Sequence, residues 1–227
     1  MGTTSNRAKL LVVRVLSTIL LALAVAIPAQ AQVYGAVRDY SGSALWLSAT
    51  SGTTRAASLS DDASSAKWGL AQAKPVEVAV AWGDRDRAIG VSVRRTQVPL
   101  TFDGVSCAGC AGQVQSTVAL GTYRRSTPLF GSGLRQVVEF GLGITRWSDL
   151  VGRDGSRIPA IATNDDFTYG VSYGIGVPLG DHLEASVNYD ILQTRHEMQK
   201  TSATSAASSG TTSFSTLRVG ARVRLGK

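Results

Sequence analysis

Phe167-Thr168-Tyr169-Gly170-Val171-Ser172-Tyr173-Gly174-Ile175-Gly176-Val177 decides the fold class of this chain. Every odd-numbered position is large and apolar, and every even-numbered one is Thr, Gly or Ser. In an extended strand successive side chains point to opposite faces, so this order sorts the segment into one greasy face and one small polar face. A helix would scatter the same residues around its circumference.

The sorting returns on both sides of this segment. After the turn Pro178-Leu179-Gly180-Asp181, residues Leu183, Ala185, Val187, Tyr189 and Ile191 oppose Glu184, Ser186, Asn188 and Asp190, which makes a hairpin. Leu217, Val219, Ala221, Val223 and Leu225 alternate with Arg218, Gly220, Arg222 and Arg224 near the end of the chain, and Val138, Phe140, Leu142 and Ile144 with Glu139, Gly141, Gly143 and Thr145. Upstream, Val76, Val78, Val80 and Trp82 face away from Glu77, Ala79, Ala81 and Gly83; Trp68 and Leu70 share the parity of Val76 and extend this strand backwards. Ile89, Val91 and Val93 continue after a turn, but Val98, Leu100 and Phe102 fall on the other parity. A β-bulge near Arg94-Arg95 would restore the phase. Leu45, Leu47 and Ala49 mark a first strand, and Val114, Val118 and Leu120 another.

Eight strands result, over 43–52, 67–83, 88–102, 113–124, 134–147, 166–178, 182–195 and 213–225. An even number lets an antiparallel sheet close with both termini at one end. The connections at 53–66, 103–112, 148–165 and 196–212 read as long and those at 84–87 and 179–181 as short, with 125–133 intermediate. Residues 201–213 are a low-complexity Ser/Thr/Ala tract without apolar area to bury.

The first 31 residues read as a cleaved secretory leader: Arg7, Lys9 and Arg14 precede an apolar run from Val15 to Ile27, Pro28 ends it, and Ala29-Gln30-Ala31 supplies the small-x-small cleavage pattern. The domain reading is therefore leader 1–31, an N-terminal segment 32–42 and a β-domain 43–227. The 227-residue chain carries a net charge of +7; without the three basic leader residues it carries 20 basic and 16 acidic residues, a residual +4 spread along the chain that argues against a nucleic-acid partner. After Gln32 no apolar stretch approaches the roughly twenty residues of a spanning helix, so a membrane location requires a closed barrel, which satisfies every backbone polar group within lipid.

The face opposite the apolar one is rich in Gly, Ser, Ala and Thr, which suits the confined interior of a narrow barrel better than a solvated surface. The charges on that face, Glu77, Arg94, Glu139, Glu184, Asp190, Arg218, Arg222 and Arg224, come from different strands and are expected to pair across the interior, because each would cost several kcal/mol if buried alone. Trp82 at one rim, with Trp147 and Phe167 at the other, would form an interfacial aromatic girdle.

These features resemble the small eight-stranded outer-membrane barrels of Gram-negative bacteria, the transmembrane domain of outer membrane protein A and the opacity-type proteins among them. The resemblance rests on strand pattern and loop alternation across residues 43–225. It implies an all-β, up-and-down antiparallel transmembrane barrel in the bacterial outer membrane, with outer-membrane lipid, periplasmic chaperones and the barrel assembly machinery as partners. Such proteins commonly end in an aromatic residue; this chain ends Arg224-Leu225-Gly226-Lys227.

Other candidate sites are few. Cys107-Ala108-Gly109-Cys110 reads as a short-loop disulfide in an oxidising compartment, since no further metal ligands lie nearby and no thioredoxin-like pattern surrounds it. His196 with Glu197 and Ser202 is the one place for rim catalysis on lipid A, and matches no catalytic spacing; His182 sits at a turn. The paired glycines Gly141/Gly143 and Gly174/Gly176 lie within strands and are not phosphate loops. No cofactor or metal site is expected, and a structural or surface-interaction role through exposed loops is favoured over a narrow channel, a lipid-binding barrel or an enzyme.

Overall fold

A computed structural model describes residues 42–61, 66–104, 107–129, 133–152, 165–197 and 209–226. The chain divides into Met1–Arg38, which contains the expected leader and lies outside the described residues, and Asp39–Lys227. Among the described residues the second unit is built from strands and their turns: β1 (Ala44–Ala56), β2 (Leu59–Asp61), β3 (Ala66–Leu70), β4 (Val76–Gly83), β5 (Arg87–Gly104), β6 (Cys107–Leu129), β7 (Leu134–Gly152), β8 (Asp165–Pro178), β9 (Leu183–Glu197) and β10 (Ser209–Leu225).

The pairing closes on itself. Going round the wall, β5, β4, β1, β10, β9, β8, β7 and β6 are each antiparallel to the next, and β6 returns to β5 along a ladder from Arg87↔Arg125 to Gly104↔Cys107. Eight strands form the ring, and no strand in it has a free edge over its paired length. The short strands β2 and β3 complete the wall where β4 stops, β3 pairing with β5 from Lys67↔Asp103 to Leu70↔Leu100. Both termini of the ring lie at one end, where Leu45 pairs with Leu225.

Short turns gather at that same end, between β4 and β5, β6 and β7, and β8 and β9. Gly133 (φ 72°) and Gly180 (φ 87°) supply the left-handed backbone two of them need. The far end carries the β7–β8 and β9–β10 connections, 153–164 and 198–208, which lie outside the described residues. All four expected long loops are shorter than read: β1 runs on to Ala56 and β2 lies within 53–66, β5 and β6 pair almost to their junction and absorb most of 103–112, β7 continues to Gly152, and β10 begins at Ser209, inside the low-complexity tract, with Thr212 fully buried.

The apolar face points outward along the expected strands. Val76, Val78, Val80 and Trp82 on β4, Phe167 to Ile175 on β8, and Val187, Tyr189 and Ile191 on β9 are exposed on the wall. The run Phe167–Val177 covers about 33 Å of strand, or about 25 Å of height at a tilt of roughly 40°, which matches the hydrocarbon band of an outer membrane.

Toward the far end this order inverts. No bulge interrupts β5 at Arg94-Arg95; its pairing with β6 runs unbroken from Arg87 to Phe102, so Arg95 and Gln97 point outward while Val98 and Leu100 point into the barrel. With Ala73 and Val114 they form one buried apolar cluster, and Val118, Leu120, Leu192 and Phe214 form a second. Leu70, expected outward with Val76, packs inward against both, because the chain slips phase over residues 71–75 between β3 and β4. Above the lipid band the outside meets water, so the apolar residues gain more by filling the interior. The barrel thus has a polar core in its lower half and an apolar plug in its upper half.

Candidate functional site: the layered barrel interior

Nearest the short-turn end, the turn between β4 and β5 folds inward. Arg85 donates to the carbonyls of Gly180 (2.8 Å) and Asp181 (3.1 Å) in the β8–β9 turn, and Arg222 donates to the Arg85 carbonyl at 3.1 Å. Burial lowers the pKa of Arg85 from its ordinary value, opposed by nearby Glu184. Arg135 reaches Asp86 and donates to the Ser126 hydroxyl at 2.8 Å.

The next layer is centred on Glu184, whose carboxylate is wholly buried and accepts from Arg222 (2.9 Å) and from Arg124. Arg222 also lies over the Trp46 ring, 4.2 Å from its centroid, a placement that adds cation–π attraction in a desolvated setting. The Trp46 indole in turn donates to the Gly83 carbonyl at 3.1 Å.

Above it sits a ring of alternating charge. Arg94 donates to Glu77 at 2.8 Å and to Asp190 at 2.7 Å; Arg218 donates to Asp190 at 2.6 Å and to Glu77, and reaches Glu139 and the Ser172 hydroxyl at 3.4 Å. All four members of the ring are buried. Each carboxylate therefore neutralises two guanidiniums, which is the arrangement that offsets the desolvation of buried charge.

Between the two charge layers lies a cavity of about 30 Å³, bordered among others by Thr50, Arg124, Asn188, Arg218 and Arg222. Two N–H donors (Nε of Arg124 and Arg222) and two acceptors (Thr50 Oγ1, Asn188 Oδ1) on its border have no partner among the described residues. The volume and the polar lining suit one or two bridging waters.

The uppermost layers are threonine and hydrocarbon. Thr145, Thr168 and Thr194 join hydroxyls at 2.6 and 3.1 Å, and Thr216 donates to Thr54 at 2.9 Å. Trp147, expected on the outer girdle, instead turns inward, stacks 5.9 Å from Phe214 and donates to Asp166 at 2.8 Å. Its odd-numbered position on β7 shares the inward face of Glu139 and Thr145. Trp82 and Phe167 do point outward at opposite ends.

Of the eight charged residues expected to pair across the interior, seven, Glu77, Arg94, Glu139, Glu184, Asp190, Arg218 and Arg222, are brought together in these two layers; the eighth, Arg224, is buried at the short-turn end and donates to the Gly42 carbonyl at 3.3 Å. Arg85, Arg124 and Arg135 belong to the network as well and escaped the sequence reading. Arg124 has the opposite parity to its neighbour Tyr123, which is exposed on the outer wall, and that is the signal that could have found it.

Cys107 and Cys110 fall in β6, and their side chains lie outside the described residues. A bond between them requires the chain to fold back locally, since residues three apart in a fully extended strand stand about 10 Å apart. The side chains of His196 and Glu197, at the end of β9, and all of Ser202 also lie outside the described residues. Among the described residues no group of His, Cys, Asp and Glu is arranged to hold a metal ion.

No protein-family model matches the chain, and no curated protein matches it in sequence. Solved structures do match in fold. Neisserial surface protein A aligns with a TM-score of 0.52 at 12% identity, covering 81% of this chain and 99% of that one. The outer membrane protein OprG from Pseudomonas aeruginosa aligns with a TM-score of 0.59 at 9% identity, covering 82% and 97%. The outer membrane protein AlkL, solved in lipid bilayers, gives 0.50 at 14%, covering 86% and 96%. The fold is that of the small outer-membrane β-barrels. The outer-membrane location expected from the sequence agrees with the two neighbours described as outer membrane proteins.

Proposed function

We propose that this protein resides in the outer membrane as a plugged barrel whose role is structural or surface-interacting, carried by the connections at its far end. The short-turn end, with both ends of the ring, would face the periplasm and the long connections the cell exterior. Periplasmic chaperones and the barrel assembly machinery would deliver it there. One observation carries the reading: a buried Arg94–Asp190 ion pair spans the interior between strands on opposite sides of the ring, with an apolar layer above it and the Arg85 turn folded in below. An eight-stranded barrel is narrow enough for side chains to fill, and here they fill it but for the small cavity between the charge layers.

Planar-bilayer recording tests the point. The expected result is no steady conductance from the wild-type protein. Steady openings that disappear on Glu139→Gln or Arg218→Gln would instead establish a narrow channel through the charged layer. Turnover of labelled lipid A, lost in His196→Ala, would replace both readings with an enzymatic one. That the protein is an outer-membrane barrel is checked separately: extracted from membranes, it should run differently on a gel before and after boiling, because a closed barrel resists detergent until heated.

A further inference from the structure

Two arginines on the outer wall stand where like charges should not. Arg87 on β5 and Arg125 on β6 are register partners, directly opposite each other, and both side chains are exposed on the outward face. Side chains so paired lie about 5 Å apart at Cβ, and like charges in that position destabilise a sheet unless something neutralises them. Nothing among the described residues does. Neither side chain makes an ion pair or side-chain hydrogen bond among the described residues; in the adjoining turn Asp84 Oδ1 accepts from the backbone amides of Asp86 (2.7 Å) and Arg87 (2.6 Å), and the Asp86 carboxylate is held by Arg135.

Their height on the wall identifies what could neutralise them. Arg87 lies two residues, about 7 Å, beyond the lipid-facing Ile89 toward the short-turn end, and Arg125 stands in the same relation to Tyr123. Trp82, Ile89 and Tyr123 are lateral neighbours along the ladder, so the pair sits just below an apolar and aromatic edge. That is the headgroup level of a bilayer, where Trp and Tyr anchor. Paired guanidiniums match the oxygens of a phosphate better than any single cation does.

We propose that Arg87 and Arg125 form a clamp for the phosphate of an anionic phospholipid in the periplasmic leaflet. The proposal rests on the outer-membrane reading above and gives the barrel's lipid partner a site and a chemistry. A bound phosphodiester removes the repulsion across the β5–β6 ladder and fixes the height of the barrel in the membrane.

Native mass spectrometry of the purified barrel, offered phosphatidylglycerol, phosphatidylcholine and lipid A in turn, tests it. Two cations at a membrane surface should favour retention of phosphatidylglycerol over phosphatidylcholine by on the order of tenfold. The double substitution Arg87→Gln/Arg125→Gln should bring the ratio to about one, while Arg95→Gln, on the outward face of the same strand toward the other end, should leave it unchanged. No preference in the wild type, a preference that survives the double substitution, or one lost equally in Arg95→Gln would overturn the proposal. Preferential retention of lipid A through the same two arginines would also overturn it, by showing that the pair does not select an anionic phospholipid. The boiled-versus-unboiled gel shift, measured on every variant, separates failure of the clamp from failure of the barrel.

Discussion

The Arg94 guanidinium on β5 meets the Asp190 carboxylate on β9 at 2.7 Å, although the two strands stand four places apart in a ring of eight. A contact across the full width of the barrel means that the wall and the interior form one packed object. Its charged members tie opposite walls of the barrel together. Any activity that required them to move would have to disrupt pairs that hold opposite walls together.

Asp190→Ala removes one of two carboxylates shared by Arg94 and Arg218, leaving both guanidiniums buried and under-neutralised. Removing one partner of a buried pair costs about 3–5 kcal/mol. Urea titration of the protein in lipid vesicles should show a loss of that order. Arg94→Met/Asp190→Leu, which exchanges the pair for hydrocarbon, should be less destabilised than the sum of its single substitutions, and full additivity would show that the two groups do not interact.

The Arg85 turn makes a second, local prediction. Arg85 donates to the β8–β9 turn, so Arg85→Ala leaves the Gly180 and Asp181 carbonyls without that donor, at a cost of about 1–3 kcal/mol. Hydrogen exchange should quicken at the amides of Leu179 to Leu183 and stay unchanged in the middle of β8. Uniform quickening throughout the barrel would mean that the contact supports global stability instead of closing the short-turn mouth.

Glycines inside the wall give a contrast free of charge effects. A Cβ on Gly143 would stand 1.9 Å from the Ala119 carbonyl oxygen on the neighbouring strand, whereas on Gly121 the nearest atom is 3.7 Å away. Gly143→Ala must push β6 and β7 apart and should weaken or abolish the gel shift of the folded barrel. Gly121→Ala should fold normally.

The legible part of this fold was the part where each strand face carries one kind of chemistry. Phe167 to Val177 could be assigned by eye because every second residue meets lipid and the others meet a crowded interior. Glu77, Asp190 and Arg218 could be placed in one network because each interrupts a face of small residues. The upper half was not legible for a physical reason: the environment on both faces changes partway along β5, so Val98 and Leu100 are apolar at positions whose lower counterparts, Ser92 and Arg94, are polar. Alternation reports which residues share a face and is silent on which side of the wall that face lies, and a change of environment resembles a shift of phase. Arg124 was missed because Arg125 follows it, and two consecutive arginines resemble the end of a strand more than one inward and one outward position.

That ambiguity between a bulge and an inversion leads to the sharpest test. If β5 kept its apolar face outward past a bulge, Val98 would meet the outside and Gln97 the interior; in the structure Val98 is 1% exposed and Gln97 lies on the outer surface, donating to Gln113 across the β5–β6 ladder. Val98→Asp should therefore place an unpaired carboxylate among Ala73, Leu100 and Val114, where a buried charge without a partner costs several kcal/mol. Gln97→Asp loses one exposed hydrogen bond and should cost less than about 1 kcal/mol. Urea midpoints in vesicles, read with the gel shift, separate the alternatives cleanly: severe loss at 98 with tolerance at 97 supports the inverted upper barrel, and the reverse order would restore the bulge.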